Sequence, residues 1–188
     1  MTRTQRWITL VILLALAAAC AFFMAHVLTW QKPDRLHGFE NRFVDPAKLG
    51  FAPGEGVEMA LADGQLYASW KDTQADALCL TAERAVEAQG RELCVSVYAG
   101  GKQNAWADRR WGYQAWLELA LCRDGREVTT LRAELPLESD KERARACAVR
   151  AAAQDGFDTC KMRVWITPLD GTIAGGELTL SNWEVDVR

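Results

Sequence analysis

The first thirty residues contain the feature that most restricts how this chain can fold, an apolar stretch long enough to cross a lipid bilayer. No residue between Trp7 and Val27 is charged, except His26 when it is protonated. As a helix, the segment from Trp7 to Trp30 would span about 35 Å, and the hydrocarbon core of a bilayer is about 30 Å thick. Because tryptophan favours membrane interfaces, we predict a transmembrane helix over residues 7–30 with Trp7 and Trp30 at its two interfaces.

Two arginines, Arg3 and Arg6, precede this stretch without an acidic neighbour. Basic residues are enriched on the cytoplasmic side of membrane proteins. We therefore expect residues 1–6 to be cytoplasmic and the helix to be a single-pass signal anchor in a bacterial inner membrane. The rest of the chain, residues 31–188, would then lie in the periplasm.

Two other interpretations of the N-terminus remain open. Ala17-Ala18-Ala19 is a small-residue site of the kind at which a signal peptide is cleaved. The longer segment Leu16-Ala17-Ala18-Ala19-Cys20 resembles a bacterial lipobox, in which Cys20 would carry a lipid anchor. The apolar run continues past both sites to Leu28, where a lipoprotein would normally have a polar tether, and this favours the retained helix.

The composition beyond the helix argues against several classes of function. Residues 1–30 contain two basic residues and no acidic one, so the remainder has 20 Lys and Arg against 25 Asp and Glu, a net charge of −5. Nucleic-acid binding needs a basic face, so we expect no nucleic-acid partner. Outside the helix His37 is the only histidine, which argues against histidine-based triads and metal sites. We expect neither an enzyme nor a bound metal or cofactor.

Five cysteines lie beyond the helix, and in an oxidising compartment their default state is disulfide-bonded. They are Cys79, Cys94, Cys122, Cys147 and Cys160. We favour a Cys147–Cys160 bridge, which would close a short loop, and next a Cys79–Cys94 bridge, while Cys122 could pair with Cys94 instead. There is no Cys-x-x-Cys motif, so the sequence predicts neither a redox motif nor covalent haem attachment.

Most of the chain beyond the helix alternates apolar and polar residues with a period of two, which is typical of strands. The clearest strand runs from Trp111 to Cys122. Asp63-Gly64 and Asp124-Gly125 each separate two alternating runs and predict hairpin turns, because both residues tolerate positive φ. About eight short strands with frequent turns predict a mainly β domain over residues 57–188, an antiparallel β-sandwich or, alternatively, a barrel.

Two segments depart from the alternating pattern. Residues 31–56 are rich in Pro, Gly and charge and are expected to form a tether and lead-in. Residues 139–154 are rich in Ala, Arg, Glu and Lys and could form a helix capped by Ser139. The alternative for this second segment is a strand plus a loop, because Cys147, Val149 and Ala151 also alternate.

Four segments resemble parts of a carbohydrate-binding module of the jelly-roll, galactose-binding-like type. They are Gly38-Phe39-Glu40, residues 90–99 (GRELCVSVYA), residues 112–119 (GYQAWLEL) and residues 175–182 (GGELTLSN). The resemblance implies a jelly-roll sandwich in which sugars dock on aromatic side chains of one sheet face or of the loops at one end. Such modules sometimes hold a structural calcium ion, but no calcium-ligand set can be matched in this sequence.

The predicted strand 111–122 offers a candidate binding surface. If its odd-numbered residues fill the core, then Gln114, Trp116 and Glu118 point to the other side. An indole can stack on the apolar face of a sugar while an amide and a carboxylate bond its hydroxyls, and Trp106 in the preceding loop could add a second platform. Alternatively, Trp116 lies beneath another segment or contacts a protein. The tryptophans expected in the core are Trp70, Trp165 and Trp183.

These observations lead to two hypotheses of different classes. In the first, the chain is a non-catalytic accessory subunit of a larger bacterial membrane complex, in which the helix packs against integral membrane proteins and the sandwich mediates protein interaction. In the second, it is a membrane-tethered glycan-binding module that acts on envelope polysaccharide. Small residues in the helix allow another helix to approach closely and favour the first hypothesis. They are Ala15, Ala17, Ala18 and Ala19.

Overall fold

The computed structural model of this chain describes residues 3–29, 44–103, 112–137 and 145–188. The chain divides into two compact units, Met1–Arg35 and Leu36–Arg188. Within the described residues, the first unit contains one α-helix, and all the strands lie in the second.

The helix of the first unit, α1, spans Arg3–Thr29. It is rich in Leu and Ala, which favour helix formation, and it overlaps almost all of the predicted segment 7–30. Trp7 is 64% exposed within this unit, whereas Trp30 lies outside the described residues. Among the residues whose side chains are described, no helix is both long enough and apolar enough to cross a membrane.

Within the described residues of the second unit, the regular secondary structure is almost entirely β-strand. It begins with the one-turn helix α2, Pro46–Leu49, whose N-cap Asp45 accepts a hydrogen bond from the backbone N–H of Ala47 at 3.0 Å. The strands within the described residues are β1 Phe51–Pro53, β2 Val57–Ala62, β3 Gln65–Trp70, β4 Leu78–Ala82, β5 Val86–Glu87, β6 Leu93–Gln103, β7 Tyr113–Arg123, β8 Arg126–Glu134, β9 Arg145–Ala151, β10 Thr159–Pro168 and β11 Gly176–Val187. A single turn of 3-10 helix, Ala153–Asp155, connects β9 to β10.

The strands form two antiparallel sheets that enclose one core. Sheet A has the strand order β1-β4-β10-β7-β8, with β5 also paired to β10. Sheet B has the order β2-β3-β11-β6-β9. The apolar residues of both sheets form one buried cluster. The predicted mainly β, antiparallel sandwich is therefore confirmed.

Both predicted Asp-Gly hairpins are present. Asp63 and Gly64 join β2 to β3 with φ angles of 52° and 72°, and Asp124 and Gly125 join β7 to β8 with φ angles of 51° and 75°. Two successive positive φ angles match the right-handed twist of the flanking strands. Asp and Gly accept this backbone at low cost, so these two turns set the register of their hairpins.

The alternating pattern buries one face of each central strand, because successive side chains of a strand point to opposite faces. In β7, the odd-numbered residues from Tyr113 to Leu121 are at most 1% exposed. They are Tyr113, Ala115, Leu117, Leu119 and Leu121. Burying a large apolar side chain contributes roughly 1.5–3 kcal/mol, so the inner face of β7 is a main source of the sandwich's stability.

The sandwich begins within the second half of the segment expected to be a tether and lead-in. The backbone N–H of Val44 donates a hydrogen bond to the carbonyl oxygen of Trp183 at 2.8 Å. Leu49 is fully buried, and Phe51 packs against Trp183 with ring centroids 5.1 Å apart. In addition, β1 pairs with the edge of β4. These contacts make residues 44–53 part of the packed domain.

Residues 145–151 form the strand β9, so the helix predicted over 139–154 is wrong for this part, and the alternative of a strand is correct. Cys147, Val149 and Ala151 are buried, and β9 pairs along its whole length with β6. Pairing with an open sheet edge and burial of an alternating face outweigh the helix propensity of Ala and Arg. Residues 139–144 lie outside the described residues.

The two predicted disulfides and the alternative pairing are wrong, because all six cysteines are free thiols. Cys79 lies between the buried Leu78 and Leu80 of sheet A and therefore points to the outer side of that sheet. By the same alternation Cys94 points to the outer side of sheet B. The two thiols lie on opposite surfaces of the sandwich, so they cannot approach to the Cα separation of about 4.4–6.8 Å that a disulfide needs.

The thiols of Cys147 and Cys160 are core side chains rather than a bridge. The chain changes from sheet B to sheet A between β9 and β10, so closeness in sequence does not bring these two residues together. Burial raises the pKa of the Cys147 thiol to about 11 and that of the Cys160 thiol to about 12. Because the thiolate is the reactive form, both cysteines are inert apolar residues at neutral pH.

Candidate functional site

The outer face of sheet A carries the residues that the sequence predicts as a binding surface. Three residues of β7 and three of β10 project from this face. They are Gln114, Trp116, Glu118, Arg163, Trp165 and Thr167. Their inward neighbours on the two strands are buried, so the pleat of the sheet directs these six side chains away from the core.

Two tryptophans stand side by side on this face. Trp116 of β7 is directly opposite Trp165 of β10 in the strand register, and side chains at such positions have Cβ atoms about 4.5–5.5 Å apart. Each indole is half-buried. Trp116 and Trp165, together called the tryptophan pair, form an aromatic surface on a face whose other side chains are mostly polar.

The orientation of Trp116 is set by a hydrogen bond. Its indole Nε1–H donates to the hydroxyl oxygen of Thr167 at 3.2 Å, and Gln114 lies directly opposite Thr167 in the register. The prediction that Trp116 and Gln114 face away from the core is therefore correct. The second predicted platform, Trp106, lies outside the described residues.

The placement of Trp165 in the core is wrong. Its neighbours Val164 and Ile166 are buried, whereas Trp165 is half-buried on the outer face. The signal was present in the sequence, because Trp165 shares its alternating position with Lys161, Arg163 and Thr167, which are polar. The guanidinium carbon of Arg132 in β8 lies 5.7 Å from the centroid of the Trp165 ring, within the range of a cation–π contact.

Glu118 lies at the centre of an ion-pair network beside the tryptophan pair. It is 0% exposed, although it belongs to the outer face. Arg163 donates from Nη1 to Glu118 Oε1 at 3.0 Å, and Arg132 donates from Nε to Glu118 Oε2. Arg163 also donates from Nη2 to Glu127 Oε2 at 2.6 Å. The arginines lie over the Glu118 carboxylate and shield it from solvent.

These neighbours determine the charge of Glu118. Burial by itself raises the pKa of a carboxyl, but the donors of Trp165, Arg132 and Arg163 outweigh it and hold the pKa of Glu118 below its ordinary value. The indole N–H of Trp165 is buried beside this carboxylate outside ordinary hydrogen-bond geometry. Both oxygens of Glu118 accept hydrogen bonds from guanidinium groups, so Glu118 holds the two arginines in place. Because the arginines cover this carboxylate, a ligand on the outer face would contact the arginines and not Glu118.

Among the described residues, no group of three or more His, Cys, Asp and Glu side chains is placed to hold a metal ion.

A groove of about 340 Å³ lies on the outer side of sheet B, across β2, β3 and β11. Its lining includes Glu58, Tyr67, Ser69 and Glu177, none of which the sequence singled out as a binding residue.

No protein-family model matches the sequence. None of the curated proteins matches it either.

Several solved structures have a similar arrangement of strands. The enzymatically active domain of bacteriophage CBA120 tailspike protein 4 has a TM-score of 0.49 and 12% identity, covering 74% of this chain and 19% of that chain. TmCBM61, solved in complex with β-1,4-galactotriose, has a TM-score of 0.45 and 11% identity, covering 73% of this chain and 87% of that chain. The CBM22-1 xylan-binding domain of Paenibacillus barcinonensis Xyn10C has a TM-score of 0.47 and 12% identity, covering 80% of this chain and 91% of that chain.

This similarity describes the order and packing of strands and does not extend to a ligand. Carbohydrate-binding modules are among the solved structures found in this comparison.

Proposed function

We propose that the domain is a non-catalytic glycan-binding module that uses the outer face of sheet A. The observation that carries the proposal is the tryptophan pair, in which Trp116 and Trp165 stand directly opposite each other on adjacent strands. In this proposal the sandwich is a jelly roll of the carbohydrate-binding type, and its ligand is a polysaccharide of the cell envelope.

The chemistry of the face supports sugar binding. A sugar ring has apolar C–H faces and a rim of hydroxyl groups, so it needs a flat apolar surface bordered by hydrogen-bonding groups. The two indoles supply the apolar surface, and indole rings combine a large contact area with few rotatable bonds. The amide of Gln114 and the hydroxyl of Thr167 border the Trp116 side, and the guanidinium of Arg132 borders Trp165.

The central test is removal of one indole at a time. We expect Trp116→Ala and Trp165→Ala each to weaken glycan binding at least about fivefold, because truncating a central aromatic residue removes more than about 1 kcal/mol of binding free energy. Binding would be measured by affinity electrophoresis and calorimetry of the full chain in mild detergent against peptidoglycan fragments, envelope polysaccharides and plant cell-wall polysaccharides. Tyr98→Ala is the control.

Tyr98 is a suitable control because it is a 42% exposed aromatic residue on β6, in the other sheet. Its removal is expected to leave glycan binding unchanged. Failure of the unaltered chain to bind any polysaccharide of the panel would overturn the proposal. So would equal loss of binding in the Tyr98 variant and the two tryptophan variants.

A second candidate function is that of an accessory subunit of a bacterial membrane complex. It is favoured by the composition of α1, where Trp7 to Val27 lack Asp, Glu, Lys and Arg and where Ala15 and Ala17–Ala19 would let another helix pack closely. In this proposal α1 is a single-pass anchor of the inner membrane, and the sandwich lies in the periplasm and contacts the other subunits.

Purification from native membranes in a gentle detergent tests this second function. We expect the chain to remain with the membrane fraction and to co-purify with integral membrane proteins in a fixed ratio. A chain that runs alone at its own mass contradicts the accessory role. Intact-mass spectrometry of the same sample distinguishes the retained helix from cleavage before Cys20, since a lipoprotein would lack residues 1–19 and carry the mass of its lipids.

A further inference from the structure

Two arginines flank the tryptophan pair, and they differ in how many of their donors are occupied. The side chain of Arg163 is 24% exposed, and it donates to both Glu118 and Glu127. Each of its terminal nitrogens is engaged by a carboxylate oxygen. Arg163 is therefore a structural ion-pair residue with little capacity left for a ligand.

Arg132, which also lies beside the tryptophan pair, has hydrogen-bond donors available to a ligand. Its side chain is 51% exposed, and it donates to Glu118 through Nε. Within the described part of the chain, its two terminal nitrogens have no hydrogen-bond partner. The hydrogen bond at Nε to Glu118 accompanies a contact in which the guanidinium carbon lies over the Trp165 ring, 5.7 Å from its centroid.

A guanidinium group held in this way is suited to a carboxylate. Its terminal N–H groups can donate two parallel hydrogen bonds to the two oxygens of a carboxylate, and such charge-assisted pairs are stronger than bonds to neutral hydroxyls. The neighbouring negative charges indicate where an anion fits. Glu118 and Glu127 are paired with arginines, whereas Glu134 lies opposite Trp116 in the register and is exposed. An anionic group is therefore favoured at the Trp165 end and disfavoured at the Trp116 end.

We propose that Arg132 makes the tryptophan pair selective for acidic glycans, with its terminal nitrogens binding the carboxylate of a uronic acid whose ring stacks on the tryptophan pair. This inference rests on the proposed glycan-binding function and names the substrate class of the same site. Glu118 is then a positioning residue, because it orients the guanidinium without contacting the sugar.

The test uses one polymer in two charge states. Polygalacturonate and its highly methyl-esterified form share a sugar and a linkage and differ in the carboxylate. We expect the full chain to bind polygalacturonate about tenfold more tightly, the effect of one charge-assisted hydrogen-bonded pair. Arg132→Gln should abolish this preference, because it should weaken the binding of polygalacturonate more than the binding of the esterified polymer. Arg132→Lys keeps the positive charge but loses the planar pair of N–H donors that can bind both carboxylate oxygens, so it should retain part of the preference.

Arg150→Gln is the matched control, because it removes the same charge from β9, an exposed position on sheet B. It should leave the preference intact. Binding of polygalacturonate should also weaken with added salt in the unaltered chain and less so in Arg132→Gln. A thermal-unfolding measurement on each variant identifies any loss of binding that comes from misfolding.

The outcomes separate this inference from the proposed function. Equal binding of the two polymers, or a preference that survives Arg132→Gln, overturns the role of Arg132 and leaves glycan binding by the tryptophan pair standing. Loss of all polysaccharide binding from the unaltered chain would overturn both.

Discussion

Replacement of Trp183 by alanine is expected to lower the free energy of unfolding by about 3–5 kcal/mol, the range for removing a large aromatic side chain from a packed core. Trp183 is 1% exposed and packs against Phe51, with ring centroids 5.1 Å apart. A bulge in β11 between Ser181 and Glu184, where Asn182 has a φ of 50°, accompanies its placement in the core. The truncation would leave a cavity next to β1 and loosen the N-terminal edge of the sandwich.

The matched variant is Trp183→Phe. The indole Nε1–H of Trp183 has no hydrogen-bond partner among the described residues, so phenylalanine keeps most of the packing and loses no hydrogen bond. We expect it to cost less than about 1.5 kcal/mol. Chemical denaturation monitored by circular dichroism measures both variants, with the same m-value required for a valid comparison. Similar costs for the two variants would contradict the packing explanation.

Replacement of Glu118 by alanine is expected to cost about 3 kcal/mol, near the lower end of the range for breaking a buried ion pair. The variant leaves Arg132 and Arg163 without the carboxylate that both contact. The cost is at the lower end because both guanidinium groups retain some contact with solvent. Glu134→Ala is the control, since that carboxylate is exposed on the same face, and its removal should change stability by no more than about 0.5 kcal/mol.

The same carboxylate gives a pH dependence with a definite sign. The pKa of Glu118 is lower in the folded chain than its ordinary value of 4.5, so the folded state favours the charged form. Its contribution to stability is fully present above pH 4.5 and is lost as the pH falls through the folded-state pKa. The unaltered chain should therefore lose stability more steeply below pH 4.5 than Glu118→Gln. Parallel acid-unfolding curves for the two proteins would exclude this linkage.

Asp158 does not interfere with that comparison. The backbone N–H of Asp124 donates to its carboxylate at 2.8 Å and holds its pKa below the ordinary value. Asp158 is present in both proteins, so its titration affects both acid-unfolding curves and is removed by taking their difference.

In strand β7, the alternation of apolar and polar residues was sufficient to predict which side chains face the core. Its odd residues were predicted to face the core and its even residues the outer side, and Tyr113, Leu117 and Leu119 are buried while Gln114 and Trp116 lie on the outer face. The Asp63-Gly64 and Asp124-Gly125 turns were predicted from two residues each. These features are local, because the side-chain direction in a strand and the φ preference of a turn depend on nearby sequence.

The errors concern residues whose partners are distant in sequence. Trp165 was expected in the core although its alternating neighbours are polar, and its place directly opposite Trp116 depends on the pairing of β10 with β7. Glu118 was expected to be available to a ligand, and it is covered by arginines from β8 and β10. The Cys147–Cys160 bridge was predicted from a short loop and the Cys79–Cys94 bridge from segments expected to be neighbours, and neither argument shows which sheet each strand joins.

The sequence by itself determined a strand-rich domain, the inner face of its central strand, the positions of two hairpins and an apolar N-terminal segment that forms the helix α1. Periodicity and turn chemistry encode these features over a few residues at a time. Only the tertiary structure decided that Trp116 and Trp165 form a pair, that Glu118 holds Arg132 beside it and that the thiols stay apart. The physical reason is that each of these facts depends on strand order and register, which are set by packing the two sheets against each other over the whole domain.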